Sequence, residues 1–422
     1  MAISGRVPLL LLLGVVPVVW WPAPVVVGAW CLLVAVLVLV DRALAAPPEQ
    51  LALVRDLPSS VRLSETARSR LTLANPTGRP ANLVVRDAWP PSARPRASRK
   101  PIRLPAGEAA RHVTGLTPTR RGDLHAADVT LRSFGPLGLG ARQSSVALEG
   151  TLRVLPEFRS RVHLPYRLAR LRELDGQASV HVRGQGTEFD SLREYAIGDD
   201  VRSIDWRASA RGQKTMVRTW RPERDRHILL VLDLSRWAAG RLGDATRLDA
   251  GIETCLLMGA LGAASGDRMS LLAVDRETRT RVAGRAGKGS VLAGFANALS
   301  LVEPILAEAD WSLVAAEIDA LCSQRSLVVL VTGLDPALYA DGLGVVLPVL
   351  AHDHKVVIAH VTDPALDPRG RTLETAQEAY DAAAADRLEL TTGMLAGRVA
   401  RMGVEVVQAD PDHLAPAVAD AY

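Results

Sequence analysis

Between Glu188 and Arg218 the chain sets Glu188, Glu194, Asp199, Asp200 and Asp205 among Arg193, Arg202, Arg207, Arg211, Lys214 and Arg218, with Tyr195 and Trp206 interleaved. Asp199, Asp200 and Asp205 lie close enough in sequence to offer a pair of carboxylates, the group that acid–base hydrolysis requires. Their neighbours argue against it. Guanidinium groups a few residues away hold carboxyl pKa values low and favour ion pairing over proton transfer. Two readings of the segment follow: a partly buried charge network that fixes the local fold, or an exposed surface that recognises a partner. In the first, Arg193, Asp199, Arg202 and Asp205 form the network and a packed Trp206 fixes Asp205. Removing one partner then leaves a charge uncompensated.

A second candidate follows directly. The apolar run from His227 ends in Asp233-Leu234-Ser235-Arg236-Trp237. Asp233 and Ser235 carry hard oxygen atoms of the kind that bind Mg²⁺, while Trp237 carries none. The bland alternative is that Asp233 and Ser235 cap the following segment. The run Gly284 to Ser290 lacks the spacing of a phosphate-binding loop, and no HExxH or GxSxG pattern occurs. The formal net charge of +4 is mild for 422 residues and gives no reason to expect nucleic acid. Cys31, Cys255 and Cys322 show neither zinc-ligand spacing nor a disulfide framework.

The elements that would position these residues are legible from patterning. Two uncharged apolar runs, Val7 to Trp21 and Ala23 to Val40, lie between Arg6 and Arg42. The second approaches the roughly 20 residues needed to span a bilayer, and the first is marginal. Positive charge at both outer ends implies a helical hairpin through residues 7–40 with both ends in the cytoplasm, a two-pass protein of the inner (plasma) membrane. A cleaved signal peptide is the competing reading, with Ala43-Leu44-Ala45 as its cleavage site. Short alternating strands punctuated by Pro and Gly suggest an antiparallel β-sandwich over 47–158. From His227 onward, apolar strands alternate with helical patterns, as in a doubly wound α/β domain over 227–422. Residues 1–46 form the anchor, and 159–226 the charged segment.

The stretch from Gly186 to Arg211, GTEFDSLREYAIGDDVRSIDWRASAR, resembles the signature of the bacterial domain-of-unknown-function 58 proteins. The strand order at the C-terminal end is similar to a von Willebrand factor A domain, which that family carries. The resemblance implies a metal-ion-dependent adhesion site at Asp233 and Ser235, here degenerate because Trp237 replaces a ligand and Thr332-Gly333 stands where relatives have Ser-Asp. It also implies a partner, a MoxR-type AAA+ ATPase. The expectation is a membrane-anchored, non-enzymatic adaptor that needs no cofactor and recognises client proteins. The segment residues Glu188, Arg193, Tyr195, Asp199, Asp200, Arg202, Asp205, Trp206 and Arg211 would be structural or partner-binding. The alternative is a metal-dependent ligand-binding receptor.

Overall fold

Three apolar helices open the chain: α1 (Arg6–Leu13), α2 (Val15–Trp20) and α3 (Pro24–Leu44). Pro24 starts α3 at a position where a missing N–H costs nothing, and Pro47-Pro48 prevents its extension. The computed structural model describes residues 2–179, 188–196, 199–221, 226–284, 290–366 and 374–422. α1 and α3 pack through Val7, Val34 and Val38 with Trp30, whose Nε1 donates to the Leu10 carbonyl at 3.0 Å. The remaining apolar side chains, including Leu9, Leu12, Val25, Leu32 and Val36, face outward. The helical stretch Pro24–Gln50 is long and apolar enough to cross a membrane. Arg247–Ser265 meets the same test of length and composition but is mostly buried in the protein.

A β-rich domain follows, within the compact unit Met1–Glu157. Its strands are β1 (Ala2–Ile3), β2 (Ala52–Asp56), β3 (Ser60–Arg62), β4 (Ala67–Ala74), β5 (Ala81–Asp87), β6 (Arg99–Leu104), β7 (Ala109–Leu116), β8 (Gly122–His125), β9 (Val129–Phe134), β10 (Gly140–Val146) and β11 (Thr151–Leu155). They form three sheets, ordered β1-β10-β9-β5-β6, β2-β4-β7 and β3-β11-β8. β4 and β5 alternate buried and accessible residues, and Leu71, Leu73, Leu83 and Val85 enter one core with Leu104 and Leu131. The expected antiparallel pairing holds except between β3 and β11, which run parallel. No tight turn joins those distant strands, so either direction is open to them.

Two buried carboxylates fasten this unit. Asp41, near the end of α3, accepts the backbone N–H groups of Leu137 (2.7 Å), Leu139 (2.6 Å) and Gly140 (2.9 Å) in the β9–β10 turn. Gly140 is required there: a Cβ would lie 2.4 Å from the Val38 carbonyl oxygen. Asp87 pairs with Arg55 at 2.6 Å and accepts from Ser69 Oγ and Trp89 Nε1, each at 3.0 Å.

The second unit is Phe158–Tyr422. It begins with α4 (Leu164–Ser179), where Arg167 donates to the Pro416 carbonyl (3.1 Å) and Asp420 (2.8 Å). Next come β12 (Glu188–Glu194), α5 (Trp206–Gly212) and β13 (Met216–Arg221); β12 and β13 form a two-stranded sheet of their own. The charged segment thus groups by contact with the α/β part. That part contains β14 (His227–Asp233), the small pair β15 (Arg241–Leu242) and β16 (Ala245–Thr246), α6 (Arg247–Ser265), β17 (Arg268–Val274), β18 (Thr278–Gly284), α7 (Ser290–Ser300), α8 (Trp311–Leu321), β19 (Leu327–Val331), the short α9 (Pro336–Leu338), α10 (Gly344–Asp353), β20 (Lys355–Val361), α11 (Ala376–Ala400), β21 (Glu405–Ala409) and α12 (Leu414–Ala421). Its sheet order is β18-β17-β14-β19-β20-β21, parallel except for the edge strand β18. β14 is buried on both faces, as central parallel strands are. α6 starts with a capping box between Thr246 and Asp249.

Removing the Asp87 carboxylate strands a buried guanidinium. Asp87→Ala is expected to destabilise the protein by about 3–5 kcal/mol. Urea denaturation of the full chain, followed by tryptophan fluorescence, measures this; an unchanged midpoint would contradict the arrangement.

Candidate functional site

The charged segment folds as a hairpin with local ion pairs. Arg193 grips Asp199 with both terminal nitrogens, at 2.7 and 2.5 Å, and Asp199 also accepts the Ala196 N–H. Hydrogen bonding to Asp199 raises the Arg193 pKa. Asp205 caps α5 through the N–H groups of Arg207 and Ala208, both at 3.0 Å, and pairs with Arg218 at 2.8 Å. The Ala208 N–H and then Arg218 hold its carboxyl below the usual range. Asp200 accepts the Arg202 N–H at 3.0 Å, and Lys214 meets Glu194.

This differs from the expected network in two ways. Arg202 contributes its backbone to Asp200, while Asp205 takes Arg218, so the four residues split into separate local contacts. Trp206 is not packed: it is 69% exposed. The cause is geometric. Asp205 is fixed by capping α5, which turns the next residue outward without needing its ring. Leu192, Tyr195 and Val201 are also exposed, and Arg211 ends α5 on the surface. Asp199 and Asp205 each hold their own arginine. Glu188 opens β12, and its side chain lies outside the described residues, as do Gly186 and Arg285 to Gly289.

The second site lies where the strand order reverses, between β14 and β19. Asp233 is almost fully buried. One oxygen accepts the Ser235 N–H (2.8 Å) and the other the Thr332 hydroxyl (2.6 Å). Burial raises its pKa, against the opposing pull of those hydrogen bonds. Ser235 Oγ is buried without a hydrogen bond. The Trp237 ring lies 5.9 Å from that of His360, tilted by 31°. A Cβ on Gly333 would lie 2.5 Å from the indole, so Trp237 and Gly333 are a matched pair. These residues do not fit a divalent site. The carboxylate is committed on both oxygens and is deeply buried, and Trp237 stands where a third oxygen ligand would be needed.

Beside them is a cleft of about 1100 Å³, lined at the strand ends by Asp335, His360, Asp363 and Asp410 and on α11 by Leu388 and Glu389. Arg247, at the start of α6, projects into it with its guanidinium carbon 5.5 Å from the Trp237 ring centre. His360 Nδ1 accepts the Leu334 N–H at 3.0 Å. Burial, then Arg247, lowers the His360 pKa to about 4, so the ring is neutral near pH 7 and its proton resides on Nε2.

The family described as a protein of unknown function, DUF58, matches residues 191–407, just over half of the chain. The chain belongs to the DUF58 family. The matched region begins within β12 and takes in β13, Asp233 and most of the cleft. Two relatives are the uncharacterized protein YeaD of Bacillus subtilis (strain 168), 26% identical over 35% of this chain and 36% of its own length, and the uncharacterized protein Rv1480 of Mycobacterium tuberculosis (strain ATCC 25618 / H37Rv), 29% identical over 25% of this chain and 34% of its own. The chain spans about a third of the length of these curated relatives. Among solved structures, the CARDB domain of the PF1109 protein from Pyrococcus furiosus, in complex with di-metal ions, is 16% identical over 24% of this chain and 94% of its own, with a TM-score of 0.16.

Sequence reasoning missed Arg247, His360 and the role of Thr332 in this DUF58 protein. A signal for Arg247 was present: an arginine directly after the helix cap Thr246, at the end of a helix that disfavours cations. Gly333→Ala should destabilise the chain by about 1–3 kcal/mol through overpacking against Trp237. The same substitution should cost almost nothing in a Trp237→Ala background. A double-mutant cycle on thermal or urea unfolding reads the coupling, and additive effects would refute the pairing.

Proposed function

We propose that this chain is a membrane-anchored, non-enzymatic adaptor that docks a MoxR-type AAA+ ATPase through the β12–β13 hairpin and presents client proteins to it. The observation that carries this reading is the outward display of Trp206, Tyr195, Val201 and Leu192 among ion pairs that are themselves accessible. Exposed aromatic residues with arginines nearby are the usual anchors of protein interfaces. Surface ion pairs add little to stability, so a structural role alone is a poor explanation for so many. The choice of ATPase rests on the family resemblance. The commitment of Asp199 and Asp205 to arginines supports a non-enzymatic role.

The α/β part is read as a von Willebrand factor A-like domain, supported by its sheet order, its antiparallel edge β18 and Asp-x-Ser after β14. The commitments of Asp233 and the place of Trp237 support its being a degenerate version, and they weigh against the metal-dependent receptor.

Trp206→Ala should leave the melting temperature unchanged and abolish capture of a co-expressed MoxR-type ATPase. Capture at the parent level would refute docking through this hairpin. The anchor is read as a two-pass hairpin of the inner membrane with the soluble domains in the cytoplasm. Its support is the outward apolar face of α1–α3 between Arg6 and Arg42. A reporter fused after residue 60 should be active only in its cytoplasmic form; activity confined to the other side would reject this topology.

A further inference from the structure

The cleft beside Trp237 contains a cation that the fold itself does not explain. Arg247 occupies the first position of α6, where the aligned peptide dipoles disfavour positive charge. Its Nε is buried without a hydrogen bond, and among the described residues no carboxylate lies within ion-pair distance of its guanidinium. The side chain is nevertheless held in place. Trp237 lies against one side, and a Cβ on Gly240 would come within 2.8 Å of Nη1. The acids around it have other tasks: Asp335 accepts the Leu338 N–H and Asp363 the Ala365 N–H, both at 2.9 Å, and Asp410 holds His413. A partly desolvated, oriented guanidinium facing a large cleft is a receptor for an anion. A second, smaller pocket also borders Arg247.

The lining selects among anions. Asp335, Asp363, Glu389 and Asp410 surround a single arginine and repel a multiply charged phosphate. A carboxylate carries one charge and matches the guanidinium fork. The volume of about 1100 Å³ far exceeds an isolated ion and suits several residues of chain. Pro336, Leu366 and Leu388 supply apolar surface for their side chains. With Nδ1 engaged by Leu334, His360 offers its remaining N–H as a second donor.

We propose that this cleft binds a peptide by its carboxylate, received by Arg247, with the adjoining apolar side chains laid against Pro336, Leu366 and Leu388. The inference deepens the adaptor reading and rests on it for describing the peptide as part of a client; the binding itself uses none of the hairpin residues.

The test uses the full chain in detergent micelles and a pool of N-acetylated tripeptides of mixed sequence, in free-acid and amidated forms. Saturation-transfer NMR identifies the binders, and calorimetry measures the strongest. The free acid should bind saturably, and its amide at least about tenfold more weakly, the loss expected for one charge-assisted contact. Arg247→Gln should reproduce that loss with the melting temperature unchanged, and Arg247→Lys should retain part of the affinity. Trp206→Ala should bind the peptide like the parent even where ATPase capture fails, which separates the two proposals. Equal binding of acid and amide, full affinity in Arg247→Gln, stronger binding of inorganic phosphate, or no binding of either pool would each overturn the site. The acid–amide comparison on the parent protein stands even if a variant fails to fold.

Discussion

The head of the α/β part depends on one packed side chain, the indole of Trp237. Reversal of strand order between β14 and β19 opens a crevice at the carboxyl ends of the strands. Here an aromatic ring fills its inner part. That ring demands the missing Cβ of Gly333, lies against His360 and forms one wall for Arg247. Asp233, four residues before it, has its two oxygens satisfied by Ser235 and Thr332. Packing and electrostatics meet at Trp237, whose ring fits Gly333 and supports the Arg247 cation.

Asp233 illustrates a rule that recurs in the first unit: a buried carboxylate persists where the surrounding donors replace water. Asp41 is the strongest case. It lies in the last turn of α3, where the helix dipole disfavours an anion, and three backbone N–H groups compensate. The same contacts fix how the apolar helix joins the β-rich domain, because the donors belong to one tight turn. Asp87 solves the problem with an arginine, a hydroxyl and an indole N–H. Arg247 is the counterexample: a cation at the unfavourable helix end with no such compensation. Departures from a local rule that nothing nearby offsets are where function is to be sought.

Much of the fold was legible because hydrophobic period is a local signal. The apolar runs that became β14, β17, β19 and β20 each read directly as buried strands, and the flanking patterns gave α6, α7, α8 and α11. Partnerships between distant residues were not legible. The parallel pairing of β3 with β11 carries no local mark. Trp237 was read as standing in place of a ligand, but its fit to Gly333 could not be seen, since the two are about a hundred positions apart and meet only through the fold. In the charged segment the residue types were read correctly and the pairing was not. Any of several arginines could answer Asp205, and cross-strand geometry selected Arg218. Trp206 misled because composition favours burying a tryptophan, whereas the capping geometry of Asp205 sets its direction.

The two surfaces of the second unit differ in how water treats their charges. Around the hairpin, the arginines of the Arg193–Asp199 and Arg218–Asp205 pairs are about half exposed. Their interactions are weak and screened by salt, so exchanging an internal partner for one on another protein costs little. Arg247 is the opposite case. Burial draws its pKa down, with Asp363 and Asp335 opposing that effect from a distance, and its partial desolvation leaves a ligand's charge less screened than at the hairpin. One surface is therefore suited to easily reversed docking and the other to selection of a specific charged group. The proposed adaptor role would use both properties, because an adaptor must release its partner after each cycle while still discriminating among the chains it presents.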